Sequence, residues 1–569
     1  MTATALLAAG TTSVVASLTG GAVPWHALHP FPVQDRAEVE LGDDAARRMI
    51  SVLRDVVDPV RAEEAGTWPA GLPAALHAAG LLHLVGPPAV GGAGLSPLNT
   101  QRVLTAAAGY WRPAAFMLGV HNGIGAPAVE PLLGAGPLGE HVRARLRAGA
   151  VTGMADTEPE GAANRDRFTR AEPTADGFRL TGDKSYIGNA AVADLLLVTA
   201  QHGRRPRLFV VDLPAPGFAV VARHEYPGLR GYVNAAVRLR DVPVPAHQLV
   251  PDDGDRMSPA LVSMLAAGRL HIVTPVALAS ARECLTITRA YLGRRHVDGV
   301  RLTGYEEPRR MTAEAMADGF ALETAARWAM LGTDRAHLVA DQAVIKTVSA
   351  ELAWRVAEHT MTTTAAQGWE RARSKAARGL PREPVEQIHR DVRGLRIAGG
   401  TEVLLRQRTA TAVALAPRYT GRVPAADSAA PAARADLAGR LSATNAAHLD
   451  GLEHAAARVA ALLDRAVAAH PDPAALAARQ RLVTLTGRAM EDLLTTALTL
   501  ARTGSAAAAG YDTQDLCDLH SRRALRRLAV LTEDLDAELR RTPDGVDERV
   551  PAWVDGAQPA DALLEGAGV

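Results

Sequence analysis

The sequence predicts a mainly α protein with a central β-domain and extra helices toward its C-terminal end. Three observations carry this expectation. Apolar residues recur at three- and four-residue spacing up to about residue 150 and again from about residue 258. Between these regions lie short β-type runs broken by turn residues. A Pro/Ala-rich stretch then separates the second helical region from a third.

Each element has its own reason. Residues 1–35 read as an N-terminal extension. Met1–Val23 is mildly apolar but holds no Lys or Arg, and none occurs before Arg36. A secretory signal needs a charged start, so the stretch reads as disordered or weakly packed. Residues 36–150 form a helical domain, carried by ELGDDAARRMISVLRDVVDPV and GLPAALHAAGLLHL, with a loop at Pro87-Pro88 and Gly91-Gly92-Ala93-Gly94. Residues 151–257 form the β-domain, with runs GFRLTG, ADLLLVTAQ, RLFVVDL, FAVVARH and VNAAVRLRDVPV. The last run alternates: Ala236, Arg238 and Arg240 share one face, and Val237 and Leu239 the other. The domain reads as an antiparallel sheet or barrel.

Residues 258–422 read as a helical bundle. Its first helix is about nine turns if continuous, with Pro275 as a candidate kink. VPAADSAAPAAR makes a linker at 423–435, residues 436–541 an appended helical domain, and 542–569 a loose tail.

Composition narrows the function classes. The 569 residues hold 62 Lys+Arg and 62 Asp+Glu. Zero net charge argues against wrapping nucleic acid, which needs a basic excess to displace counterions. The cations divide into 59 Arg and only three Lys: Lys184, Lys346 and Lys375. A skewed genome composition accounts for most of that bias. Two cysteines, Cys284 and Cys517, make no disulfide framework and fit a reducing cytoplasm. No apolar run of about 18 residues is present, so no membrane span is expected. No GxGxxG fingerprint between a strand and a helix occurs, which argues against a Rossmann fold.

Five segments, in order, carry a resemblance: GLLHLVGPPAVGGAGLS, ADTEPEGAAN, LTGDKSYIGNAAVADLLLVTA, RDVPVPAHQLV and HRDVRGLRIAGGTEVLLR. Together they resemble the acyl-CoA dehydrogenase family, and among its branches the very-long-chain type. Lys184 and Lys346 fall inside matching segments. The resemblance implies an N-terminal helical domain, a β-domain, a four-helix bundle, and FAD held between the β-domain and the bundle. It also implies an acyl thioester, on CoA or a carrier protein, lying against the flavin while a glutamate removes its α-proton.

That chemistry needs donors for the developing charge, a shielded carboxylate and a dry slot. By the resemblance, the flavin wall comprises Asp156, Thr157, Tyr186, Ile187, Gly188, Gly400 and Thr401. Tyr186 takes the place of an aromatic that covers the ring. Gly188 stands where a Thr or Ser hydroxyl meets flavin N5, which leaves a backbone N–H there and room for a small group or oxygen. Arg294 matches a family arginine on the adenine and pyrophosphate side. There the usual Gln is Thr362 and the paired glycines are Ala365-Ala366, and a Cβ hinders close approach to phosphate.

The base is the sharpest departure. The position preceding Gly-Thr is Gly399, and the alternative position before Arg269 is Gly268. Both are glutamate in one branch or another of the family. Glu402 is the remaining candidate, although a glutamate in a first helical turn is favoured by the helix dipole alone. Ala163, Leu265, Arg269, Ala398 and Gly399 mark the acyl pocket. Ala398 and Gly399 widen it, so a branched or polycyclic acyl group fits the expectation.

The appended helices resemble the domain that very-long-chain enzymes carry, which implies a homodimer. RRALRRLAVL has the composition of a membrane-touching helix, but a solvated basic face is the simpler expectation. Three readings stand at this point. One is an FAD-dependent oxidoreductase on an acyl thioester, desaturating it or using a base-independent variant, in bacterial specialised metabolism, with electron-transfer flavoprotein or oxygen as acceptor. The second is a flavin monooxygenase or N-hydroxylase on the same fold. The third is a flavin-free acyl-thioester binder or non-redox enzyme.

Overall fold

A computed structural model describes residues 13–164, 166–252, 259–331, 339–425 and 427–541. The tail expected at 542–569 and the side chain of Leu265 lie outside the described residues.

The described part of the N-terminal extension, Ser13 onward, is packed, which corrects the weakly packed reading there. Helix Val14–Thr19 is buried, with Val15 and Leu18 fully covered. Ser13 Oγ caps it by accepting from Ala16 N at 3.1 Å. The buried Asp341 carboxylate accepts from Val14 N and Val15 N at 3.1 and 2.8 Å. Those N–H groups have no partner within their own helix, so a distant carboxylate supplies one. Trp25 and Leu28 are also buried, and Trp25 Nε1 donates to Glu453 Oε1 at 2.8 Å. The segment is thus tied to the appended domain by apolar burial and by hydrogen bonds that include Trp25 to Glu453, His29 to Asp436 and Phe31 to Ser505.

Helices Arg36–Val56, Pro97–Tyr110 and Arg112–Ile124 build the N-terminal helical domain. The first two begin at side-chain caps, Asp35 and Ser96. The β-domain follows: β1 Thr152–Ala155, β2 Arg170–Thr174, β3 Gly177–Gly188, β4 Leu195–His202, β5 Arg205–Asp212, β6 Phe218–Arg223 and β7 Asn234–Pro245. Their order is β1-β4-β2-β3-β7-β6, with β5 on β4. The sheet is mixed rather than wholly antiparallel, since β1 and β2 run parallel to β4.

β4 is buried on both faces, which explains its unbroken apolar text. Leu196 and Val198 face the sheet core, and Leu195 and Leu197 face helix Pro137–Arg147. β7 alternates as expected: Val237 and Leu239 are buried, and Arg238 and Arg240 are exposed on Asp183.

The bundle comprises Pro259–Arg294, Glu306–Leu331, Val339–Thr364 and Val385–Leu395. The first is one 36-residue helix through Pro275. Its stretch from Ala267 is apolar and long enough to cross a membrane, but it is mostly buried inside the bundle. It crosses Arg112–Ile124 at glycines. A Cβ on Gly123 would overlap the Gly268 carbonyl, and a Cβ on Gly268 would overlap the Gly123 carbonyl. The linker expected at 423–435 already turns helical at Ala430–Ala438.

Helices Ala443–Ala469, Gln480–Ala508 and Gln514–Arg540 form the appended domain. Arg523 pairs with Asp318 and Arg527 with Asp492. These two cations of the basic helix therefore turn inward.

Candidate active site

The β-domain and the bundle meet at a set of buried polar groups. After β1 the chain turns through Asp156, Thr157 and Glu158 against β3, where Ser185 N donates to the Thr157 carbonyl at 2.9 Å. Glu158 accepts from Phe168 N and Thr169 N, both at 2.8 Å. Buried Lys184 completes the arrangement. Its Nζ donates to Glu158 Oε1 at 3.0 Å, Thr199 Oγ1 at 3.2 Å and the Asp156 carbonyl at 3.2 Å. Burial pulls Lys184 below the ordinary lysine range, and Glu158 opposes that shift. The Asp156 carboxylate accepts from Thr199 Oγ1 at 2.8 Å and Arg167 Nη2 at 2.9 Å. Burial works to raise this carboxyl, but Arg167 and Thr199 outweigh it and hold it low. These side chains position the loop rather than project from it.

The C-terminal end of β3 is different. Tyr186 stands 59% exposed at φ +60, its ring stacked on His224 at 4.8 Å between centroids. Ile187 turns its side chain into the sheet core, and its backbone pairs with Ala235 of β7. Gly188 corrects an expectation. A Cβ there would overlap the Tyr232 hydroxyl and lie 3.1 Å from Val120 Cγ2. The room expected beside Gly188 is therefore occupied by Tyr232. The pattern of the sequence did not single out Tyr232.

On the bundle side, Gly399 and Gly400 sit at φ +67 and +104 just before helix Glu402–Thr409. Thr401 is exposed at the N-cap, without a side-chain cap bond. The two candidate base positions have opposite surroundings. Gly268 is sealed by the Gly123 backbone. A Cβ on Gly399 would meet only side chains at ordinary contact, Arg269 Cγ at 3.6 Å and Lys346 Cε at 3.7 Å. Lys346 Nζ donates to the Gly400 carbonyl at 2.7 Å. Burial, then the Arg269 charge, lower Lys346 to about 7. Arg269 is half-buried, and its charge also acts on Asp156, so the two walls are electrostatically linked.

Glu402 is not a free base. Arg396 holds it through two bonds, Nε to Oε2 at 2.8 Å and Nη2 to Oε1 at 2.5 Å. Ala398 is half-buried against the helical core. Ala163 is exposed, and its carbonyl accepts from Arg408 Nη2 at 3.3 Å.

Arg294 stands apart from this cluster in a two-bond pair with Glu383, at 2.7 and 2.5 Å. Ala365 holds φ +49, a conformation glycine adopts more easily. The backbone there keeps a glycine-like path although the residue is alanine. Lys375, the third lysine, is buried and donates to the carbonyls of Gln367, at 2.7 Å, and Glu383. All three lysines are thus buried and cap main-chain carbonyls. No cluster of metal-ligating side chains occurs among the described residues.

The domain order is matched by three family descriptions: acyl-CoA dehydrogenase, N-terminal domain over residues 38–135, middle domain over 153–242, and C-terminal domain over 259–414. Together they take in more than half of the chain.

The chain belongs to the acyl-CoA dehydrogenase family.

Within this family it is 31% identical, over 397 residues, to probable acyl-CoA dehydrogenase FadE10 of Mycobacterium tuberculosis. The match covers 68% of this chain and 61% of that protein, so the chain spans about three fifths of that relative's length. It is 27% identical over 353 residues to 3-sulfinopropanoyl-CoA desulfinase of Advenella mimigardefordensis, covering 60% and 84% of the two chains. An acyl-CoA dehydrogenase of Bacillus anthracis, solved as a complex with FAD, shares the fold with a TM-score of 0.75 over 95% of each chain at 16% identity. That likeness in fold extends beyond the residues matched as acyl-CoA dehydrogenase domains.

Proposed function

We propose that the chain is a flavoprotein that acts on an acyl thioester without an enzymic carboxylate base. The observation that carries this is the contrast at the two base positions. Gly268 cannot bear a side chain, Gly399 bears none, and Glu402 is held by Arg396. Losing a general base costs about 10²–10⁴ in rate, so the reaction is one that does not depend on it.

FAD fits the residues present. The C-terminal end of β3 offers a glycine without a side chain at Gly188, an exposed aromatic ring at Tyr186 and, beside Gly188, the buried hydroxyl of Tyr232. Asp156, Thr157, Tyr186, Ile187, Gly188, Gly400 and Thr401 are the residues assigned to hold it. When bound, the flavin supplies the electron-accepting chemistry. The chain's own part is to exclude water and to fix the thioester against this wall.

Arg269 and Lys346 flank Gly399 and make that side of the pocket cationic. An acyl group bearing an acidic substituent suits such a wall. The relationship to an enzyme named for a sulfinate-bearing thioester supports this choice. A second copy of the chain, and electron-transfer flavoprotein or oxygen as acceptor, complete the reading. The monooxygenase reading loses support, because Tyr232 fills the space beside Gly188. A flavin-free binder keeps one supporting observation, the commitment of Arg294 to Glu383.

The test is spectroscopic. The purified protein is expected to show flavin absorption, as isolated or after loading with FAD. Anaerobic mixing with straight-chain saturated acyl-CoA is expected to leave the flavin oxidised for minutes, and an acidic acyl-CoA to be turned over. A colourless protein that cannot be loaded supports the flavin-free reading. Rapid bleaching by a straight-chain acyl-CoA contradicts the base-independent one.

A further inference from the structure

Tyr232 has three properties that do not suit a purely structural tyrosine. It is buried, its hydroxyl makes no well-formed hydrogen bond although Asn234 is near it, and that hydroxyl lies against Gly188, which carries no side chain. A buried tyrosine usually finds a partner for its hydroxyl. Here the neighbouring hydroxyl of Tyr226 donates instead to Asn234 Oδ1, at 3.2 Å.

The side chain is also held in place. Its ring packs edge-on against Phe116 at 4.8 Å. Its backbone N donates to Leu229 O at 3.0 Å, closing a tight turn. That turn is anchored from two other regions: Leu229 N donates to Asp391 Oδ1 at 2.5 Å, and Arg230 Nε donates to the Glu63 carbonyl at 2.8 Å. Rotation of the hydroxyl away from Gly188 is therefore restricted. Burial raises the phenol far above its ordinary range, so it stays protonated and able to donate.

We infer that Tyr232, which stands beside Gly188 just before the start of β7, supplies the hydroxyl hydrogen bond to the flavin that residue 188 lacks. The inference rests on the flavin reading above. It makes Gly188 and Tyr232 one unit. With the phenol in place residue 188 must be glycine, and with glycine at 188 the hydroxyl beside that position comes from residue 232.

The experiment uses the full chain loaded with FAD. Tyr232→Phe removes one oxygen. The expected result is an FAD dissociation constant raised about tenfold, the size of one hydrogen bond, with a shift of the visible flavin band. The melting temperature of the FAD-free protein is expected to hold or rise, because the lost hydroxyl made no well-formed hydrogen bond. Gly188→Ser alone is expected to weaken FAD binding by steric overlap with Tyr232. The double variant Gly188→Ser/Tyr232→Phe is expected to bind FAD more tightly than either single variant. A Tyr232→Phe holoprotein with unchanged affinity and spectrum overturns the inference. So do effects of the two substitutions that merely add. A wild-type chain that takes up no FAD overturns the flavin reading itself, a separate and visible outcome.

Discussion

Gly268 and Gly399 are the two positions at which the resemblance leads one to expect a catalytic glutamate, yet their surroundings are unlike. Gly268 lies at a helix crossing where two backbones touch through Gly123. Its missing side chain is a packing requirement, and no carboxylate can be restored there without separating two core helices. Gly399 lies on a left-handed turn between Arg269 and Lys346, with ordinary contact distances around the vacant Cβ. Its missing side chain is a chemical difference in a place where a Cβ would meet only side chains, without overlap. The comparison teaches that identical residues at two candidate base positions have different causes, which only the three-dimensional neighbours reveal.

The largest effect is expected at the sealed position. Gly268→Ala places a Cβ into the Gly123 carbonyl and is expected to cost more than about 4 kcal/mol. Loss of soluble protein or of the cooperative melt checks it. A stable Gly268→Ala variant breaks the comparison. Lys184→Met strips the buried Glu158 of its ion-pair partner and is expected to cost about 3–5 kcal/mol by denaturant titration. Gly399→Ala is expected to cost only about 1 kcal/mol, from the left-handed backbone rather than from crowding.

Lys346 gives a smaller effect with a definite sign. Its folded value, about 7, lies below the ordinary lysine value of 10.5. Over that interval the unfolded chain binds more protons, so this group's contribution to stability rises from pH 7 to pH 10 and is lost as pH falls back to 7. Lys346→Met is expected to flatten that rise in thermal melts across the same range. An unchanged pH profile contradicts the buried, unpaired environment of this lysine.

Much of the fold was legible because period and composition change sharply along the chain. Helical spacing gives way to β-runs near Val151 and returns near Ser258. The N-terminal segment was misread. Weight fell on its missing charges, whereas the spacing of Val14, Val15 and Leu18, followed by Trp25 and Leu28, was the informative signal. In the site, Lys184 was legible as one of the scarce lysines and as part of a matching segment. The lysines as a group were only partly legible: scarcity was visible, but their shared burial beneath main-chain carbonyls was not. Tyr232 and the Gly123–Gly268 contact were illegible for one physical reason. Each joins residues far apart in sequence through a single close approach, which leaves no periodic trace. Glu402 looked available only because Arg396 is brought to it by the turn at Gly399-Gly400.

The most direct test of the central claim, that Gly399 is the open and chemically decisive gap, is the rate of anaerobic flavin bleaching by a straight-chain acyl-CoA in Gly399→Glu against the wild type. The account predicts a gain of about 10²–10⁴ in the variant. Equal rates in the two proteins, with both holding FAD, would contradict it.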